Sequence, residues 1–139
     1  MASPSEIARL RQLAKDNCLE NASILDKYTD EQLASRVYNG IGPESFPKWL
    51  REVIDFLNPS LEPVALIHDA EWYETDRTKA SFEASNRRFR SNGIRMAKAT
   101  YGWWNPLRYR VRRQAKLFSL ACGTQAGWKA WLLGDRRRE

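Results

Sequence analysis

Apolar residues recur at helical spacing along nearly the whole chain, and that recurrence limits the folds open to it more than any other feature. Ile7, Leu10 and Ala14 share one helical face, as do Leu33 and Val37. Phe82, Asn86 and Phe89 follow at i, i+4 and i+7, and Leu107, Val111, Ala115, Phe118 and Cys122 form a longer stripe. A period of 3.6 residues gathers such positions on one side of a helix, whereas a strand would need alternation. Strand signals are few; one short hairpin could be accommodated but not placed. The 139 residues suit one domain with a real core. The expected fold class is all-α, a single small domain of roughly five to seven helices.

Local signals divide the chain. Ser3-Pro4-Ser5-Glu6 reads as a capping box with proline in the first turn, opening a helix that ends near Asn17. Residues 21–27 read as a connector. Thr29-Asp30-Glu31-Gln32 is a second capping box, and Asn39-Gly40 a helix stop. From Tyr38 to Pro47 two glycines and two prolines exclude a helix and leave a shaped loop, whose Gly40 and Gly42 can turn backbone groups toward a ligand. A helix over about 47–57 carries Trp49, Leu50, Val53, Ile54 and Leu57, and Asn58-Pro59 ends it. Pro63 opens the next helix, to about Glu74. After a polar joint at 76–78, a long helix starts near Lys79; Asn92-Gly93 stops or kinks it, with 94–101 continuing. Gly102-Trp103-Trp104 is a turn, Asn105-Pro106 caps the basic helix, and Gly123 breaks it. Thr124 is placed to cap a last short helix with Trp128, Trp131 and Leu132, before a charged tail at 135–139 that should fray. Three stretches result: N-terminal helices at 1–37, a loop and histidine core at 38–101, and basic helices at 102–139.

Charge is unevenly distributed. Residues 1–86 hold nine Lys/Arg against fifteen Asp/Glu, a net −6; residues 87–139 hold fourteen against two, a net +12. Such a half calls for an anionic partner: phospholipid headgroups, nucleic acid, or the acidic half of the same protein. No stretch reaches the roughly 20 apolar residues of a membrane span. The first residues lack a signal-peptide pattern. Two cysteines, Cys18 and Cys122, are too few for a disulfide framework, so reduced thiols are the expectation, with a single bridge left open.

His68 is the only histidine. With Val64 and Trp72 it shares one helical face, and Asp69 projects about 100° further round. An imidazole and a carboxylate thus stand side by side. Three segments line up around them: Asn39-Gly40-Ile41-Gly42-Pro43, His68-Asp69-Ala70-Glu71-Trp72 and Ser85-Asn86-Arg87-Arg88-Phe89. Together they resemble the phospholipase A2 plan. The likeness is in particular to small phage and prophage proteins with an N-G-x-G-P loop, an H-D-x-x-aromatic helix and a following (A/S)-(D/N)-x-x-F segment. The basic helix through Phe118 and the aromatic finish at Trp128 also look like that group, so the resemblance covers roughly residues 38–131.

The resemblance implies a His-Asp helix packed on a second long helix and calcium-assisted hydrolysis of a phospholipid ester at a membrane surface. His68 would be the general base, drawing a proton from the attacking water. Asp69 would bind calcium with backbone carbonyls of Tyr38, Gly40 and Gly42, hard oxygen ligands that suit that ion. The metal and a loop N–H would stabilise the oxyanion. Asn86 would orient His68, at a position where the family has an acidic residue; Trp72 stands where tyrosine is usual. The disulfides of secreted members are missing. A protein of this kind would act in the host cytoplasm or the virion.

Two other readings stay open. One keeps the fold and drops catalysis: a phage structural or host-interaction protein that binds through its basic, tryptophan-bearing half. The other is nucleic-acid binding, although the arginines wrap a helix and no known motif appears. Trp103, Trp104, Trp128 and Trp131 with flanking cations suit a membrane surface and a core alike.

Overall fold

The computed structural model describes residues 3–38 and 57–133. Helix α1 (Pro4–Asp16) begins as its sequence predicts: Ser3 Oγ accepts from the Glu6 amide at 3.2 Å, and proline occupies the first turn. Asn17 closes it, with both its backbone and side-chain N–H groups donating to the Leu13 carbonyl. Cys18 and Asn21 then take positive φ, 52° and 62°, and reverse the chain. The expected connector is a 3-10 turn over Ala22–Lys27. In α2 (Asp30–Gln32) the capping box is reciprocal: Thr29 Oγ1 accepts from the Gln32 amide, and Gln32 Oε1 from the Thr29 amide. The helix widens into a π turn, Leu33–Val37, that buries Leu33 and Val37.

The predicted Asn39-Gly40 stop, the glycine loop and the 47–57 helix lie outside the described residues, except for Tyr38 and Leu57 at their margins. Asn58 Oδ1 accepts from the Ser60 amide and opens a 3-10 turn, Pro59–Leu61, that runs into α3 (Glu62–Tyr73). Helix α3 is buried around most of its circumference, through Val64, Leu66, Ile67, Ala70 and Trp72 as well as His68 and Glu71. Such a helix belongs at the centre of a domain, and α1, α4, the 22–27 turn and the π turn surround it.

Helix α4 (Lys79–Thr100) starts at a dense polar cap. Thr78 Oγ1 accepts from the Ser81 amide, while Asp76 accepts from the Thr78 amide, the Thr78 hydroxyl and the Ser81 hydroxyl. Those bonds, the Thr78 amide first, hold the Asp76 carboxyl below its usual range. Asn92-Gly93 does not stop α4, which continues to Thr100 as the helical reading of 94–101 requires. Asn92 turns its amide sideways instead: Oδ1 accepts from the Glu20 amide at 2.7 Å, and Nδ2 donates to the Glu20 carbonyl at 3.1 Å. Gly93 marks a close approach to α5, since a Cβ there would lie 2.4 Å from Ala115 Cβ.

Helix α5 (Pro106–Cys122) is capped by Asn105, whose Oδ1 accepts from the Leu107 amide, and ends at Gly123. It packs along α4 in the most extensive contact among the described elements. Of the predicted stripe, Val111, Ala115, Phe118 and Cys122 are buried, but Leu107 at the helix start is 39% exposed. Helix α6 (Gln125–Leu133) completes the described fold. The four tryptophans after residue 100 divide: Trp131 is buried and Trp128 half-buried, whereas Trp103 and Trp104 are exposed. Among the described residues there is no strand, and no helix is long and apolar enough to cross a membrane. Both cysteines are free, Cys18 exposed and Cys122 buried.

Candidate functional site

The segment Val64 to Trp72 turns His68 toward α4. There Phe82, Asn86 and Phe89 form the inward face, and all three are buried. His68 is 4% exposed. Its ring lies against Trp72, Phe89 and Phe118, with centroid separations of 4.9, 5.3 and 5.7 Å, so α3, α4 and α5 each contribute one wall. His68 Nε2 lies 3.0 Å from Asn86 Oδ1. An amide oxygen only accepts, so Nε2 carries the proton of the neutral ring and Nδ1 keeps the lone pair. The sequence expectation that Asn86 hydrogen-bonds His68 is met in this geometry. Asn86 is held in turn from α5, where the Ser119 hydroxyl donates to its backbone carbonyl at 2.7 Å.

Asp69 is half-buried beside the histidine. Its charge reaches two groups. Burial, and secondarily Asp69, raises the Tyr38 phenol and the Cys122 thiol above their ordinary ranges. Tyr38, the first of the expected backbone ligands, is therefore in the electrostatic neighbourhood of Asp69. Gly40 and Gly42 lie outside the described residues. Among the described residues no three histidine, cysteine or acidic side chains converge on one point.

Sequence reasoning passed over Glu71. Its carboxylate is 6% exposed and accepts from Asn21 Nδ2 at 3.0 Å, Ser85 Oγ at 3.2 Å, and both Nε and Nη2 of Arg88. Burial raises its carboxyl, while the Arg88 charge and the Asn21, Arg88 and Ser85 hydrogen bonds pull it back. This network ties α3 to α4 and to the α1 exit, one turn along from His68. Glu71, Ser85 and Arg88 all lie inside the two helical motifs, and a carboxylate on the apolar flank of α3 was the available signal.

Comparison with known proteins returns no match, whether to a family model, a curated sequence or a solved structure.

Proposed function

We propose that the chain is a phospholipase A2-like ester hydrolase with His68 as general base and glycerophospholipid as substrate. The observation that carries this reading is the His68–Asn86 hydrogen bond, joining two motif residues across two helices. By accepting at Nε2, Asn86 directs the lone pair to Nδ1, the atom that would take the proton from water. The surrounding aromatic rings lower the local dielectric and sharpen any charge that develops there. Asn86 supplies only an amide dipole to the resulting imidazolium, so turnover should be slow beside that of an acidic orienter. Calcium held by Asp69 and the backbone of residues 38–42 would supply electrophilic stabilisation of the oxyanion.

Calcium titration of the wild type beside Asp69→Asn, followed by hydrolysis of phosphatidylglycerol vesicles, tests the reading. Saturable binding lost in the variant, with calcium-dependent release of fatty acid, is the expected result. No binding up to millimolar calcium in a folded protein would retire it.

A second reading rests on the burial of His68. At 4% exposure, with a neutral partner and an aromatic box, the ring also fits a satisfied core histidine. The chain would then be a non-catalytic phage structural or host-interaction protein. An Asn86→Asp variant that gains hydrolysis would exclude this reading.

A further inference from the structure

The outer face of α5 carries a pattern that the histidine site does not use. At about 100° per residue, Pro106, Tyr109, Arg110, Arg113, Leu117 and Leu120 fall within one arc of about 100°, and all six are exposed. Tyr109 and Leu117 are each 51% exposed and Leu120 is 70%. The turn before the helix adds Trp103 at 75% and Trp104 at 71%. The Tyr109 hydroxyl donates to the Trp103 carbonyl at 2.7 Å, so turn and helix form one surface. Phe118, which walls the histidine, points to the other side of α5. The surface is therefore not the mouth of the His68 site.

Its charge has one sign. Residues 84–134 contain no acidic residue. Arg110 and Arg113 sit within the arc, and Arg112 flanks it with its guanidinium 6.0 Å from the Tyr109 ring.

We propose that this face docks on an anionic phospholipid bilayer, with α5 lying in the plane of the interface. Tryptophan and tyrosine settle at headgroup depth, leucines reach the acyl boundary, and arginines extend their heads to lipid phosphate. A second copy fits poorly, because a two-fold contact would oppose arginine to arginine with no carboxylate among the residues that form the face. Nucleic acid would use the tryptophans and arginines but gives no role to Leu117 and Leu120, about 20–24 Å along the helix from Trp104 at 1.5 Å per residue. Docking does not rest on hydrolysis.

The test is co-sedimentation of the full chain with phosphatidylcholine vesicles, with and without phosphatidylglycerol, in chelator so that no calcium-dependent reaction intervenes. Wild type should sediment only with the anionic vesicles. Trp103→Ala/Trp104→Ala and Leu117→Ser/Leu120→Ser should each weaken binding at least about tenfold, with helical circular dichroism unchanged. Failure of the wild type to sediment overturns the proposal. So does binding that both apolar variants leave intact, or preferential capture of a single-stranded oligonucleotide insensitive to the leucine changes. Loss of hydrolysis with docking retained would remove only the catalytic reading.

Discussion

Nε2 of His68 and Oδ1 of Asn86 lie 3.0 Å apart in the interior between α3 and α4, and Nδ2 of the same amide has no hydrogen-bond partner among the described residues. Asn86→Asp exchanges that orphan donor for a carboxylate at the same contact. A neighbouring negative charge favours the imidazolium, so the ring should titrate at higher pH in the variant than in the wild type. His68 is the only histidine, which makes its ring-proton NMR signal unambiguous. An unchanged midpoint would mean that the contact carries no hydrogen bond. Asn86→Leu instead leaves the Nε2 proton unsatisfied and should lower stability by about 1–3 kcal/mol in denaturant unfolding.

Glu71 sets a pH dependence with a definite sign. Burial raises its carboxyl, against the pull of Arg88, so the folded protein keeps that proton to higher pH than the unfolded chain. The contribution is full below the ordinary carboxylate value of about 4.3 and is lost as pH rises through the raised folded value. Glu71→Gln removes the titration, so the wild type should lose ground to the variant as pH increases from 4. The opposite trend in paired urea melts would show that the network lowers the carboxyl. Arg88→Leu should cost less than the roughly 3–5 kcal/mol of a fully buried broken pair, since the Arg88 side chain is 30% exposed.

Legibility followed locality. The helix starts at Ser3, Thr29 and Asn105 were readable because a cap bonds within three residues of itself. The inward faces of α3 and α4 were readable from spacing, whereas the meeting of His68 and Asn86 was an expectation of the family resemblance. At Asn92-Gly93 the sequence left a stop open because a stop signal and a helix crossing are written alike; the Ala115 and Glu20 neighbours distinguish them, and both are remote in sequence. Glu71 and Arg88 are 17 residues apart on different helices, so neither looks paired from its own surroundings. Composition likewise could not separate Trp103 from Trp131, because exposure depends on what covers the 102–105 turn.

Gly93 allows a crossing that alanine would block. In an isolated helix Gly→Ala is worth up to about 1 kcal/mol in favour of alanine. Here the new methyl would meet Ala115 Cβ at 2.4 Å and Leu61 Cδ2 at 3.3 Å. The leucine tip can yield, but the alanine methyl has no rotamer to change, so the helices must separate. Overpacking of about 1–3 kcal/mol outweighs the propensity gain, and Gly93→Ala should destabilise. Adding Ala115→Gly should recover most of the loss. A double-mutant cycle with no coupling between the two sites would refute the crossing.

Asn92 should be the costliest of the polar positions to truncate, because its amide serves two backbone groups at once. It is 1% exposed and satisfies both the N–H and the C=O of Glu20. That bend joins α1 to the 22–27 turn, where Cys18 and Asn21 already hold positive φ. Asn92→Ala removes donor and acceptor together, and each part-buried backbone group left unpaired costs about 1–3 kcal/mol. Asn92→Asp keeps the acceptor toward the Glu20 amide but sets a carboxylate against the Glu20 carbonyl. It should therefore recover little of the loss at neutral pH and more in acid, where the protonated carboxyl donates again. Amide hydrogen exchange gives the direct readout. The Glu20 N–H should lose protection in both variants, and continued protection in Asn92→Ala would show that the bend is held by its own backbone geometry instead.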